Sequence, residues 1–342
     1  AEIGHVEFFC DNEQLVTTAP DIVMSLARAH RAQSAVGTNG PWWRLRIVVT
    51  DTGATEIDED HGTQPFPEPY LFAPQAYTAD LETYPRERLP VWLAAYVRHD
   101  ERQSRPPAQA VRHARENRTA RRADDQITEF PVLWARWATL AAAFVAVNSL
   151  WGPRILPSLG RFEGGAGNGS TLYILPGERA VLSGGVWEAP ELDAVYNRGG
   201  PMPDYYAGAP DWVADSVLDS RAQAGLLSFC YWWENGHWYR GQSPDVTRFA
   251  AAVPAVWSAD AVVDTVARLM PRQDSRGAAE ALVGAAENNR VTSDLLAPLF
   301  DPAVCDVDSA FHQLSLAGVV DLAPSSRRYG AGLARPLRER VR

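Results

Sequence analysis

Apolar positions along the chain follow two periodicities. Apolar runs broken by turn residues occur from Trp43 to Ile57 around Asp51-Thr52-Gly53, and from Thr171 to Leu182 around Pro176-Gly177. Both predict β-hairpins. The segment Tyr231-Trp232-Trp233-Glu234-Asn235-Gly236-His237-Trp238-Tyr239-Arg240 carries a third turn signal. Asn-Gly favours a two-residue type I′ turn, so Glu234 should face His237, Trp233 should face Trp238, and Trp232 should face Tyr239. Helical spacing recurs from Pro20 to Arg31 (Ile22, Val23, Leu26, Ala29) and from Ala259 to Met270 (Val262, Val263, Val266, Leu269). Residues 278–289, 292–300 and 309–317 are read as further helices. The most apolar stretch, Leu133 to Trp151, is Ala-rich and carries Arg136 and Asn148. It falls short of the roughly 20 strongly apolar residues a membrane span needs, and predicts a buried helix.

A weak internal repeat organises these elements. Pro65, Pro67, Tyr70, Ala73 and Pro74 match Pro201, Pro203, Tyr206, Ala209 and Pro210 at constant offset. After a one-residue gap, Ala79, Asp80, Arg86 and Tyr96 match Ala214, Asp215, Arg221 and Tyr231. A hairpin precedes each copy, and a Pro-x-x-Trp pair (Pro131 to Trp134, Pro254 to Trp257) follows it into an Ala/Val-rich helix. The expected fold class is therefore α+β, with two related halves in tandem, each a small antiparallel sheet with flanking helices. The boundaries run 1–97 for the first half, 98–127 for an Arg-rich linker or exposed helix, 128–258 for the second half, and 259–342 for a helical C-terminal region with a frayed tail.

Length agrees with two domains, since 342 residues exceed what one core usually serves. Ordinary apolar (46%) and charged (22%) fractions exclude disorder as the main description. The formal charge of −10 argues against general binding to nucleic acid or to anionic membrane, leaving neutral or basic partners. All 32 basic residues are Arg, which excludes a Schiff-base, P-loop or kinase lysine. Cys10, Cys230 and Cys305 are widely spaced and form no disulfide framework or zinc site. Cys230, inside an apolar run, reads as a small buried hydrophobe. No basic flank followed by an apolar stretch opens the chain, so no signal peptide is expected and the location is read as cytoplasmic.

Three segments carry candidate chemistry. In the Asn-Gly hairpin, Glu234 opposite His237 could work as an acid–base pair, and Trp232, Trp233, Trp238 and Tyr239 could stack on a ligand from whichever face is left open. Alternatively, the aromatics brace the hairpin and the Glu–His pair is a contact at its tip. The acidic run Glu56-Ile57-Asp58-Glu59-Asp60 lacks EF-hand spacing, so Asp58, Glu59 and Asp60 are read as a binding surface and no metal is assigned. Eight Arg between positions 98 and 122 could hold anions or simply be solvated. The glycines from Gly164 to Gly169 precede a strand, the reverse of a dinucleotide fingerprint, and no cofactor is assigned.

The stretch from Trp42 through Asp60-His61-Gly62 and Pro65-Phe66-Pro67 to Leu89-Pro90-Val91-Trp92-Leu93 resembles immunity proteins of bacterial polymorphic toxin systems. Trp233-Glu234-Asn235-Gly236-His237-Trp238 ends a second copy of similar texture. Absence of Lys with abundant Ala, Arg and Trp resembles proteins of actinobacteria. The resemblance implies a monomeric, non-enzymatic binding protein, without cofactor, that covers the active site of a basic toxin domain. Two other expectations stand beside it: a hydrolase of a glycosidic or N-glycosidic bond using Glu234 and His237, and a secretion-associated accessory protein.

Overall fold

The computed structural model describes residues 7–10, 13–15, 20–35, 40–116, 119–270 and 275–321. A short hairpin of β1 (Phe8–Cys10) and β2 (Glu13–Leu15) leads to α1 (Asp21–Ser34) and to a second hairpin of β3 (Arg44–Val49) and β4 (Thr55–Asp60). Then come α2 (Pro74–Thr83), α3 (Val91–Arg98), α4 (Pro107–Arg115), the two-residue strand β5 (Arg121–Arg122) and α5 (Phe130–Ala146). Four strands follow: β6 (Gly152–Leu156), β7 (Leu159–Glu163), β8 (Gly169–Leu175) and β9 (Arg179–Gly185). After α6 (Pro190–Arg198) the chain forms β10 (Phe229–Glu234) and β11 (His237–Arg240), and ends in α7 (Val246–Phe249), α8 (Ala259–Leu269), α9 (Ser275–Glu287) and α10 (Val307–Leu316).

The centre is a seven-stranded antiparallel sheet in the order β5-β11-β10-β9-β8-β7-β6. It is a meander that β5 extends by pairing Arg122 with Tyr239 and Arg121 with Arg240. Side chains alternate across a strand, so two apolar faces require two covers. One face presents Leu172, Leu182, Phe229, Tyr231, Trp233 and Trp238 to α5, behind which lie α8, α9 and α10 in the same core. Alanines along α5 let the helix sit close to the strands. Gly160 on β7 serves the same end, because a Cβ there would stand 2.7 Å from the fully buried Trp137 indole nitrogen. The other face presents Val181, Cys230 and Trp232 to the irregular segment that carries Tyr205, Tyr206, Val213, Leu218 and Ala222.

A separate cluster joins the N-terminal part to the sheet. Phe66, Tyr77, Leu89, Trp92 and Leu93 pack with Leu192, Val195 and Tyr196 of α6. The fold class is thus α+β, and the hairpins expected around Gly53, Gly177 and Asn235-Gly236 all form, as do helices at 21–34, 130–146, 259–269, 275–287 and 307–316, the one expected from Leu133 to Trp151 ending at Ala146. The two-halves reading is corrected. Tyr96 lies in helix α3 whereas its matched Tyr231 lies in strand β10, and the hairpin of the first copy stays two-stranded while that of the second is inside the seven-stranded sheet.

Of the two alternatives for residues 98–127, the exposed helix is present as α4, with Arg112 and Arg115 exposed, but the segment before it is not a solvated linker. Arg105 is completely buried; its Nη1 and Nη2 donate to the Val213 and Ala209 carbonyls at 2.5 and 2.9 Å, and its amide donates to Asp215. That guanidinium fastens the irregular cover over the sheet. Residues 292–300 hold only a single 3-10 turn, Ser293–Leu295, in place of the expected helix. The expected frayed tail, Ser325 to Arg342, lies outside the described residues.

Candidate functional site

The hairpin of β10 and β11 takes the expected register, with Asn235 and Gly236 at φ of +52° and +79° in the turn. Its three tryptophans are buried, and Tyr239 is half-buried. Trp233 and Trp238 face α5, where the Trp238 indole N–H donates to the Thr128 carbonyl at 2.8 Å. Trp232, also buried, stacks at 6.3 Å on Tyr239 beneath the irregular cover. The expectation of an open aromatic face is therefore corrected: the segment from Tyr205 to Ala222 closes the second side of the sheet.

The polar tip of this hairpin ties down the sheet edge. Asp124 accepts from the Trp238 amide at 2.7 Å, pairs with His237 Nδ1 at 3.1 Å and with Arg122 at 2.9 Å. Partial burial alone would raise the Asp124 carboxyl, but the Trp238 amide and Arg122 outweigh it and hold the group below its usual range. His237 is thus engaged by Asp124 and also touches the Arg122 guanidinium. Glu234, its cross-strand neighbour, sits half-buried beside the turn.

The acidic run lies on β4 and has a different setting. Among the described residues β3 and β4 form a two-stranded sheet, and Ile47, Val49 and Ile57 are 53%, 64% and 53% exposed. Only the base is anchored. Arg44 pairs with Asp60 at 2.8 Å and lies over the Phe66 and Tyr70 rings, while Glu59 meets His30 and His61 at 3.4 and 3.6 Å. Asp60 accepts from the Gly62 amide at 2.8 Å, so it is partly committed to the turn; Glu59 is exposed but met by the two histidines, and Asp58 is exposed. Helix α1 adds a second apolar surface: Ile22 and Leu26, one turn apart, are 65% and 63% exposed. The sequence announced these acids; the exposure of the isoleucines beside them depends on no third strand joining among the described residues, which no local signal encodes.

One cleft escaped the sequence reading. About 480 Å³ lies at the seam between the N-terminal cluster and the sheet, walled by Trp92, Trp151 and Trp187, with Arg161, Glu163 and Arg221 at one end. Arg221 is bound to Glu163 at 2.7 Å and to Asp219 at 3.2 Å, and Arg161 to Glu163 at 3.1 Å, so these charges hold one another. The glycine-rich turn belongs here: a Cβ on Gly167 would stand 2.7 Å from the Trp187 ring. Trp151 and Trp187, 36 residues apart and flanking that turn, were the available signal, and only the fold brings them together with Trp92.

Cys230 is completely buried, and burial pushes its thiol up to about 12. Among the described residues, no three His, Cys, Asp or Glu side chains stand together as a metal site, and no helix is long and apolar enough to cross a membrane. No protein-family model, no curated protein and no solved structure matches the chain.

Proposed function

We propose that the chain is a non-enzymatic protein-binding protein whose β3–β4 hairpin engages a basic partner. The observation that carries this reading is the hairpin itself, two-stranded, with Ile47, Val49 and Ile57 more than half exposed beside exposed Glu56, Asp58 and Glu59. Apolar side chains grouped on a projecting element mark interaction surfaces in soluble proteins. The adjoining carboxylates favour a partner of opposite charge and speed its arrival. Immunity to a secreted toxin, exerted by covering a basic active site, is the form of this role that the sequence resemblance suggests.

The Glu234/His237 pair supports the hydrolase alternative poorly, because His237 is held by Asp124 and the flanking aromatics are core. Affinity capture from the native cells tests the reading. Wild-type chain should retain a basic protein at low salt that an Asp58→Arg/Glu59→Arg variant loses. Equal retention by the two, with loss only in Glu234→Gln, would place the function at the other hairpin.

A further inference from the structure

The turn of the β3–β4 hairpin fixes which backbone groups face solvent. Thr50 N–H donates to the Ala54 carbonyl and Gly53 N–H to the Thr50 carbonyl, both at 2.9 Å, so Thr50 and Ala54 form a hydrogen-bonded pair. Hydrogen-bonded and non-bonded pairs alternate along an antiparallel ladder. With Val48 opposite Glu56, Ile47 opposite Ile57 and Arg46 opposite Asp58, the even-numbered residues of β3 turn their amides and carbonyls toward β4. Leu45, Ile47 and Val49 turn theirs outward. Among the described residues, the outer edge of β3 is therefore a row of three apolar residues with unpaired backbone groups and no Pro; the strand's charges, Arg44 and Arg46, sit at the alternate positions whose backbone groups face β4.

We propose that this edge pairs with the same edge of a second copy, antiparallel about a two-fold axis at Ile47, to give a four-stranded sheet in the order β4-β3-β3-β4. Self-pairing is permitted by the pattern of side chains. In this register Ile47 meets Ile47 of the second copy, Leu45 meets Val49, and Arg46 meets Val48, so no like charges stand opposite and each outward N–H finds a carbonyl. The apolar face of Leu45, Ile47, Val49 and Ile57 then doubles in area.

Charge selects β3 over β4 for this pairing. The equivalent pairing of two β4 edges about Ile57 would set Glu56 against Asp58 twice, and cross-strand like charges are destabilising. The two acidic strands are left on the outer edges, where they remain free for another partner. A ladder of six residues is a small interface, so the dimer is one that forms with concentration. The proposal needs only the geometry of β3 and is separate from the identity of any basic partner. It replaces the monomer expected from the sequence.

Sedimentation and site-specific crosslinking test it. The average mass of the wild-type chain should rise with loading concentration toward twice the monomer mass. Ile47→Lys should stay at monomer mass over the same range with an unchanged circular dichroism spectrum. In a Cys10→Ser background, Ile47→Cys should form an intermolecular disulfide under mild oxidation. Val49→Cys should not, because the register separates the two Val49 positions by four residues. A monomer at every concentration, a dimer that survives Ile47→Lys, or crosslinking at 49 in preference to 47 would each overturn the proposal.

Discussion

Glycines at two places do different physical work, and substituting them separates the two. Gly236 sits at φ of +79° with nothing within 4 Å of where a Cβ would point, so any cost of adding a side chain lies in the backbone. Gly236→Val should lose about 1–2 kcal/mol in a denaturant titration, the usual cost of holding a β-branched residue in the left-handed region. Gly160 has no such φ, but the Trp137 indole stands where its Cβ would go. Gly160→Val should lose about 1–3 kcal/mol by overpacking, accompanied by a shift in tryptophan fluorescence that Gly236→Val does not produce. Cys230 is closed to solvent and its thiol is raised by burial, so native protein at pH 8 should not yield this thiol to a disulfide reagent until it unfolds. Labelling of Cys230 without unfolding would contradict the closed second face of the sheet.

Between elements, Asp193 of α6 ties down the chain just before α3. Its carboxylate, 7% exposed, takes Arg88 Nε at 2.6 Å, Arg198 at 2.9 Å and the Asn197 amide at 2.9 Å. Burial by itself would raise this carboxyl, but hydrogen bonds from Asn197 and Arg88 outweigh it and hold the group below its ordinary value. A carboxylate lowered in the folded state contributes stability that is present above the unfolded value, roughly pH 4, and is lost as the pH falls through the folded value. Asp193→Asn should therefore cost about 1–2 kcal/mol at neutral pH, a modest figure because both arginines are more than half exposed. The difference from wild type should shrink below pH 4; a difference that grows on acidification would contradict the assignment.

The β10–β11 hairpin was legible in the chain because Asn-Gly and strict alternation are local signals. What covers its second face was not, since Arg105 and Asp215 meet across more than a hundred residues. The repeat misled for the same reason. Pro-x-Pro segments look alike locally, while packing against α6 makes a helix of Tyr96 and pairing with β9 makes a strand of Tyr231.

Taken whole, the molecule divides its distinctive side chains between two hairpins of opposite character. The aromatic one, from Phe229 to Arg240, is enclosed by α5 on one side and the 205–222 segment on the other. The β3–β4 hairpin, anchored at Arg44, Asp60 and Glu59, carries its isoleucines, Glu56 and Asp58 into solvent. The composition signalled a negative molecule, but it could not say which acids stand free, because that depends on the β3–β4 sheet gaining no third strand among the described residues. The central claim is that recognition belongs to this exposed hairpin and not to Glu234 and His237. Photo-crosslinking in the native cells measures it directly, with a photoreactive side chain placed at position 57 or, separately, at position 234. The account predicts a covalent adduct with one basic protein from position 57 and none from position 234. An adduct formed from 234 alone would contradict it.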